Sequence, residues 1–142
     1  MSRSGLLPVQ QALYAALVAD VSFMALVSGV HDAVPRRAAK PYVTMGESTE
    51  IPYNTFGKIG HEDTVTLHVY TEDDGAASGK AAGLAIVERL LAVLDGARLV
   101  VQGHDTVLCN FEFTNTIEQS DDAGLTYRNF PVRFRIVTQD AG

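Results

Sequence analysis

Residues 40–71 read KPYVTMGESTEIPYNTFGKIGHEDTVTLHVYT, and the two ends of this stretch decide the fold class. Thr64–Tyr70 alternate cleanly, with Val65, Leu67 and Val69 on one face and Thr64, Thr66, His68 and Tyr70 on the other. Period-two alternation marks a half-buried strand. Tyr42–Met45 read as a second strand, because Pro41 ends any helical option before them. Between the two, residues 46–63 look like neither helix nor strand. Gly57 and Gly60 punctuate this segment, and Pro52 and Asn54 add turn character. Structureless loops beyond about 12–15 residues are uncommon in compact domains and are usually functional or disordered. Disorder is depleted in aromatic and branched apolar residues, yet this segment carries Ile51, Tyr53, Phe56 and Ile59. Two readings follow: a loop that folds back on its own domain, or an arm whose apolar groups are covered by a partner.

Working outward, Ser4 is placed to cap a first helix, with Pro8 in its first turn and Leu6, Val9, Leu13 and Leu17 as its stripe. Asp20 caps a short second helix that carries Phe23, Met24 and Val27 and stops at Gly29. Residues 30–40 are irregular and basic, with Arg36 and Arg37. Downstream, Ser78 is placed to cap the longest helix, which runs to about Asp95 with Leu84, Val87, Leu91 and Leu94 as its buried stripe and Gly96 as its stop. A strand over Thr106–Thr116 carries Val107, Cys109, Phe111 and Phe113 on one face, and Asp121–Gly124 supply a turn. Tyr127–Val137 return with Phe130, Val132, Phe134 and Ile136 inward and Arg133 and Arg135 outward.

Helix pair, strand pair, helix, strand pair is an α+β order. The expectation is one domain over residues 1–142. It has an antiparallel or mixed sheet of four to five strands, helices packed on one face, and a long projecting loop or hairpin at 46–63. Such a sheet leaves a polar face and two edges, which an isolated domain must protect and a ring-forming subunit can use.

The composition, 46% hydrophobic and 20% charged, is that of a globular chain. A net charge of −6 argues against broad nucleic-acid binding, which needs a basic surface to displace counterions. The acidity is concentrated: residues 47–76 hold seven acidic residues and one lysine. A single cysteine excludes an intramolecular disulfide and a four-cysteine zinc site. No apolar run reaches the ~20 residues of a membrane span. Pro8, Gln10 and Gln11 interrupt any signal-peptide core, so a reducing cytoplasm is the expected compartment.

Catalytic patterns are weak. Residues 75–80, GAASGK, resemble a phosphate-binding loop but are one residue short, with Ala81 where a magnesium-binding hydroxyl belongs. His61, Glu62, Asp63 and His68 gather two imidazoles and two carboxylates, and a small metal-dependent hydrolase on His61, Glu62 and His68 is a remote alternative. Asp63 and His68, however, fall on opposite faces of a strand. His31–Asp32 and His104–Asp105 lack a nucleophile nearby, and Cys109 reads as a buried small hydrophobe. No catalytic residue, metal or cofactor is expected.

Several stretches together resemble the tail-completion (tail-terminator, head–tail joining) family of long-tailed bacteriophages and gene transfer agents. They are LLPVQQALYAALVAD (6–20), VSFMALVSGVHDAVPRRAAKPYVTMGES (21–48), HEDTVTLHVYT (61–71), the helix from Ala77, and GLTYRNFPVRFRIV (124–137). The resemblance runs in order over nearly the whole chain. It implies a virion structural protein that forms a ring, commonly of six copies, at the head-proximal end of the tail after assembly in the host cytoplasm. That ring halts tube growth and joins the head-side connector. The implied partners are identical copies, the tail tube protein and the head-side connector or stopper protein, with DNA passing through the lumen unbound and no membrane involved. Carried onto this chain, 46–63 is the hairpin arm. The expected contact residues are Ile51, Tyr53, Asn54, Phe56, Lys58 and Ile59, with Arg36 and Arg37, and Glu72, Asp73 and Asp74 are the expected lumen-facing acids. A connector or tube-like tail subunit is the alternative role.

Overall fold

A computed structural model describes residues 4–73, 79–120 and 123–141. Their elements, in order, are α1 (Leu6–Val18), α2 (Val21–Met24), β1 (Val30–His31), β2 (Tyr42–Pro52), β3 (Gly60–Glu72), α3 (Gly79–Leu94), β4 (His104–Thr114), β5 (Ile117–Ser120) and β6 (Thr126–Asp140). One mixed sheet runs β1-β2-β3-β6-β4, with β5 also on β6. Among the described residues only the β1–β2 pair is parallel. The α+β class and the antiparallel centre are as expected. The two short strands β1 and β5 were not legible.

The sheet is built on β3 and β6, which pair without a register shift from Gly60↔Gln139 to Glu72↔Tyr127. That register sets Val65, Leu67 and Val69 opposite Phe134, Val132 and Phe130, and all six are buried. Fully burying side chains of this size contributes roughly 1.5–3 kcal/mol each. The helices close over this face. Val9, Leu13 and Leu17 of α1, Phe23 of α2, and Ile86, Leu90 and Leu94 of α3 complete the core.

Local details differ from the sequence reading for physical reasons. Gly5, not Ser4, is the N-cap of α1, and the Ser4 hydroxyl accepts from the Leu6 N–H at 3.2 Å. Asp20 caps α2 by accepting from the Phe23 N–H at 2.7 Å, but α2 is a single turn that ends at Met24, short of Gly29. The buried stripe of α3 is Gly83, Ile86, Val87, Leu90 and Leu94, while Leu84 is exposed and Leu91 only half-buried. Its first N–H, on Gly79, donates to Asp73 Oδ1 at 2.7 Å. The expected cap Ser78, most of the GAASGK stretch, Asp74 and half of the 121–124 turn lie outside the described residues. In β4, bulges between Thr106 and Leu108 and between Phe111 and Phe113 break the alternation. Cys109 is therefore buried, whereas Val107 and Phe113 are exposed. Among the described residues no helix is long and apolar enough to cross a membrane.

The polar segment 46–63 is mostly strand. After a register shift between Met45 and Ser48, β2 and β3 pair from Ser48↔Val65 through Pro52↔His61. The stem of the hairpin is thus part of the sheet, and residues 53–59 form its tip.

Candidate assembly surface

The tip is held by backbone. Thr55 and Lys58 exchange hydrogen bonds of 3.0 Å across Phe56 and Gly57, whose φ of +82° suits glycine. The Tyr53 N–H donates to the Gly60 carbonyl at 2.9 Å, and Asn54 Oδ1 accepts from the Gly60 N–H at 3.2 Å. The Asp140 N–H donates to the Ile59 carbonyl at 2.8 Å, tying the tip to the end of β6. The Arg135 guanidinium lies 5.9 Å from the centre of the Tyr53 ring and hydrogen-bonds Glu62. A Cβ at Gly60 would stand 2.2 Å from the Tyr53 carbonyl oxygen, so the strand and the loop can meet only at a glycine.

This ordered tip presents apolar groups to solvent. Ile51, Tyr53, Phe56 and Ile59 are exposed, Phe56 completely, with Asn54 and Lys58 exposed between them. Phe56 does not fold back on its own domain. Exposed apolar clusters on a fixed frame mark interaction surfaces more often than random surface.

The edge beside the tip is open. β1 covers only Val43 and Thr44 of β2, and among the described residues no strand pairs with the outer side of β2 beyond them. The opposite edge, β4, is closed by its own chain: the Gly96 N–H donates to the Cys109 carbonyl at 2.7 Å, and the Phe111 N–H to Asp95 Oδ1 at 2.9 Å. An open edge is a template for pairing with another chain.

The other expected contact residues lie elsewhere. Arg36 and Arg37 are exposed on a turn between β1 and β2, closed by the Ala38 N–H donating to the Pro35 carbonyl at 3.0 Å. They flank the start of β2, whereas the tip follows its end, roughly 33 Å away at ~3.3 Å per residue. Basic pair and apolar tip therefore do not form one patch. Glu72 is exposed at the far end, 3.9 Å from Lys40 Nζ. Asp73 is held below the usual carboxylate range by the Gly79 N–H and then by Arg128, whose Nε lies 3.4 Å away. It belongs to the start of α3 as much as to any acidic surface.

The residues of the hydrolase alternative do not converge. Because β3 runs unbulged against β6, His61 faces the buried side while His68 faces the other. His68 Nε2 lies 2.7 Å from Glu47 Oε1 and Nδ1 lies 3.1 Å from Asn129 Oδ1, whereas Glu62 is engaged with Arg135. Asp63 is fully buried beside Glu50, and burial followed by that neighbouring carboxylate pushes it up to about 8. Burial pushes the Cys109 thiol up to about 12, so it is no nucleophile at neutral pH. That His61 meets His104 and Asp140 is not legible from the chain, since the three come from different strands and strand register brings them together.

An α+β subunit with an exposed apolar hairpin tip and an open strand edge has the features of an assembly protein. The chain is a member of the tail completion protein gp17 family, whose pattern matches residues 11–139. The role this family names is structural, completion of a tail, and is not enzymatic. The fold is similar to that of a chain in the virion of a native gene transfer agent particle. The TM-score is 0.82 at 26% identity, over 97% of this chain and 99% of that one. The gp17 protein of bacteriophage SPP1 shares the fold more distantly, with a TM-score of 0.50 at 23% identity over 88% of this chain and 86% of that one. A search of curated protein sequences gives no match.

Proposed function

We propose that the chain is the tail-terminator subunit of a virion, forming a six-fold ring on the head-proximal end of the tail tube. The observation that carries this reading is the wholly exposed Phe56 on a hydrogen-bonded tip, flanked by Ile51, Tyr53 and Ile59 and adjoining an open β2 edge. The similarity to a chain in a gene transfer agent virion supports the virion setting. In this reading, tip and edge dock on a neighbouring copy or on the last ring of tube protein. One face of the ring matches the tube and the other does not, so growth stops and the head-side connector takes the free face. Each tip contact is small, but six held in one ring bind together through their effective concentration. Arg36 and Arg37, at the other end of β2, face a different neighbour from the one the tip meets. A net charge of −6, with Glu72 exposed, keeps DNA from adhering as it passes through the lumen.

The test is to mix purified protein with tube protein and image the products. Annular particles and shorter tubes are expected. Lengthened tubes would assign the chain to the tube-like alternative, and a strict monomer with and without tube protein would overturn the ring.

A further inference from the structure

A second site stands apart from the assembly surface, at the corner where β3 begins and β6 ends. His61 on β3, His104 on β4 and Asp140 on β6 bring one ligand atom each within 4.8 Å of one another. His61 Nε2 lies 2.9 Å from Asp140 Oδ1, and His104 Nδ1 lies 3.3 Å from the same oxygen. The two imidazoles meet edge to face with ring centres 5.4 Å apart. His61 is 4% exposed and His104 7%. A plain hydrogen-bonded triad accounts for His61 but not for His104, whose buried Nδ1 lies 3.3 Å from Asp140 Oδ1 yet makes no hydrogen bond of acceptable geometry among the described residues. Leaving a buried polar atom unsatisfied is costly, and such an atom calls for an explanation.

A divalent ion supplies one. Metal–ligand bonds of about 2.0–2.1 Å in a tetrahedron place neighbouring ligand atoms roughly 3.3 Å apart; the two nitrogens stand 2.9 and 3.3 Å from Asp140 Oδ1, and all three ligand atoms lie within 4.8 Å of one another. Two imidazole nitrogens and one carboxylate oxygen are a zinc donor set, with a fourth position left for water. The surroundings fit as well. The other nitrogen of His61, Nδ1, lies 4.0 Å from Glu50 Oε2, and that oxygen accepts from the Gly5 N–H at 2.7 Å. A carboxylate behind the imidazole is the kind of group that orients metal-bound histidines, and Glu50 stands on that side of His61 without hydrogen-bonding it at 4.0 Å. A surface depression lined by Val101, His104 and Thr106 reaches one member of the cluster.

We propose that His61, His104 and Asp140 form a binding site for a divalent transition metal of the zinc class, one ion held between three strands with a fourth position open to water. The ion joins the first residue of β4, the end of β6 and the start of β3. Asp140 also donates its N–H to the Ile59 carbonyl, so the bound metal fixes the root of the hairpin tip.

The test uses the full chain without a histidine tag, stripped with chelator and titrated with zinc chloride and, separately, cobalt chloride. One ion per chain is expected, with the visible absorption of four-coordinate cobalt and a zinc-dependent rise in melting temperature. In the same titration the imidazole NMR signals of His61 and His104 should move while those of His31 and His68 stay. His104→Ala and Asp140→Asn should each weaken binding at least about tenfold, in line with the 10–100-fold costs seen even for outer-shell changes, and His68→Ala should not. Failure of the folded wild-type chain to bind either ion overturns the site. So does movement of the His31 or His68 signals alone, or undiminished binding by both site variants. The wild-type NMR result decides the matter even where a variant fails to fold.

Discussion

A methyl group placed on Gly83 would stand 2.1 Å from one carbon of the Phe130 ring and 2.3 Å from the next. α3 therefore lies against β6 with no room for a side chain between them. Phe130 is fully buried in the centre of the core and cannot turn aside cheaply. Replacing a helical glycine with alanine ordinarily favours the helix by up to about 1 kcal/mol. Here overpacking, typically about 1–3 kcal/mol, opposes that gain. Gly83→Ala is expected to destabilise the chain in urea titration, and Phe130→Leu in the same chain should recover part of the loss. A double-mutant cycle with no coupling between the two positions would show that the helix yields instead.

Asp20 joins α2 to α3. Its Oδ1 accepts from the Phe23 N–H at 2.7 Å and from Arg89 Nε at 3.0 Å, and its Oδ2 accepts from Arg89 Nη2 at 2.7 Å. Arg89 first, and the Phe23 N–H second, hold the carboxyl below its ordinary value. A carboxylate depressed in the folded state adds stability that is fully present above its unfolded value of about 3.9 and is lost as pH falls through the folded value. Asp20→Asn should therefore be less stable than the wild type at pH 7, and the two should converge as the pH drops below about 4. Parallel stability curves across that range would show that the pair contributes nothing through charge.

How far the sequence carried follows from the range of the forces involved. Val65, Leu67 and Val69, and Phe130, Val132, Phe134 and Ile136, were legible because alternation is local and all seven are buried as read. The stripe of α3 was misplaced because its closest contact is made by a residue with no side chain: Gly83 gives no hydrophobic signal, and Leu84 does. Residues 46–52 and 60–63 read as loop because their polar character, solvent-facing over most of 46–52 but buried at His61 and Asp63, hides the pairing that β3 and β6 impose on them. For the same reason Arg36 and Arg37 could be grouped with Phe56 from sequence alone. Only the length of β2 separates them. His61, His104 and Asp140 are far apart in the chain, and their meeting depends on the register of two strand pairs.

Cys109 offers a direct reading of folding. It is buried between β6 and the end of α3, its carbonyl accepts the Gly96 N–H, and its thiol is pushed up to about 12 by burial. Thiolate is the reactive form, so almost none is available at pH 8 in the folded chain. Labelling by an aromatic disulfide reagent should be slow in native buffer and rapid in denaturant. Its rate should rise in Gly83→Ala as the population of opened molecules increases. Fast labelling of the native wild type would mean that the β4 edge opens without global unfolding.

The hairpin tip permits a separation of assembly from stability. Phe56 is fully exposed, and surface substitutions away from special features usually change stability by less than about 0.5 kcal/mol. Phe56→Ser should therefore melt with the wild type, yet lose the ring or its hold on tube protein. The triple variant Ile51→Ser, Tyr53→Ser, Phe56→Ser should give overlong tubes or headless tails. Gly60→Ala acts differently, because its new Cβ would press on the Tyr53 carbonyl oxygen at 2.2 Å and on that of Thr138 at 3.0 Å. Both are backbone atoms, so the β2–β3 turn itself must shift and both melting temperature and assembly should fall. If Phe56→Ser assembles normally while Gly60→Ala does not, the tip matters through its backbone placement and the apolar contact proposed for its ring is wrong.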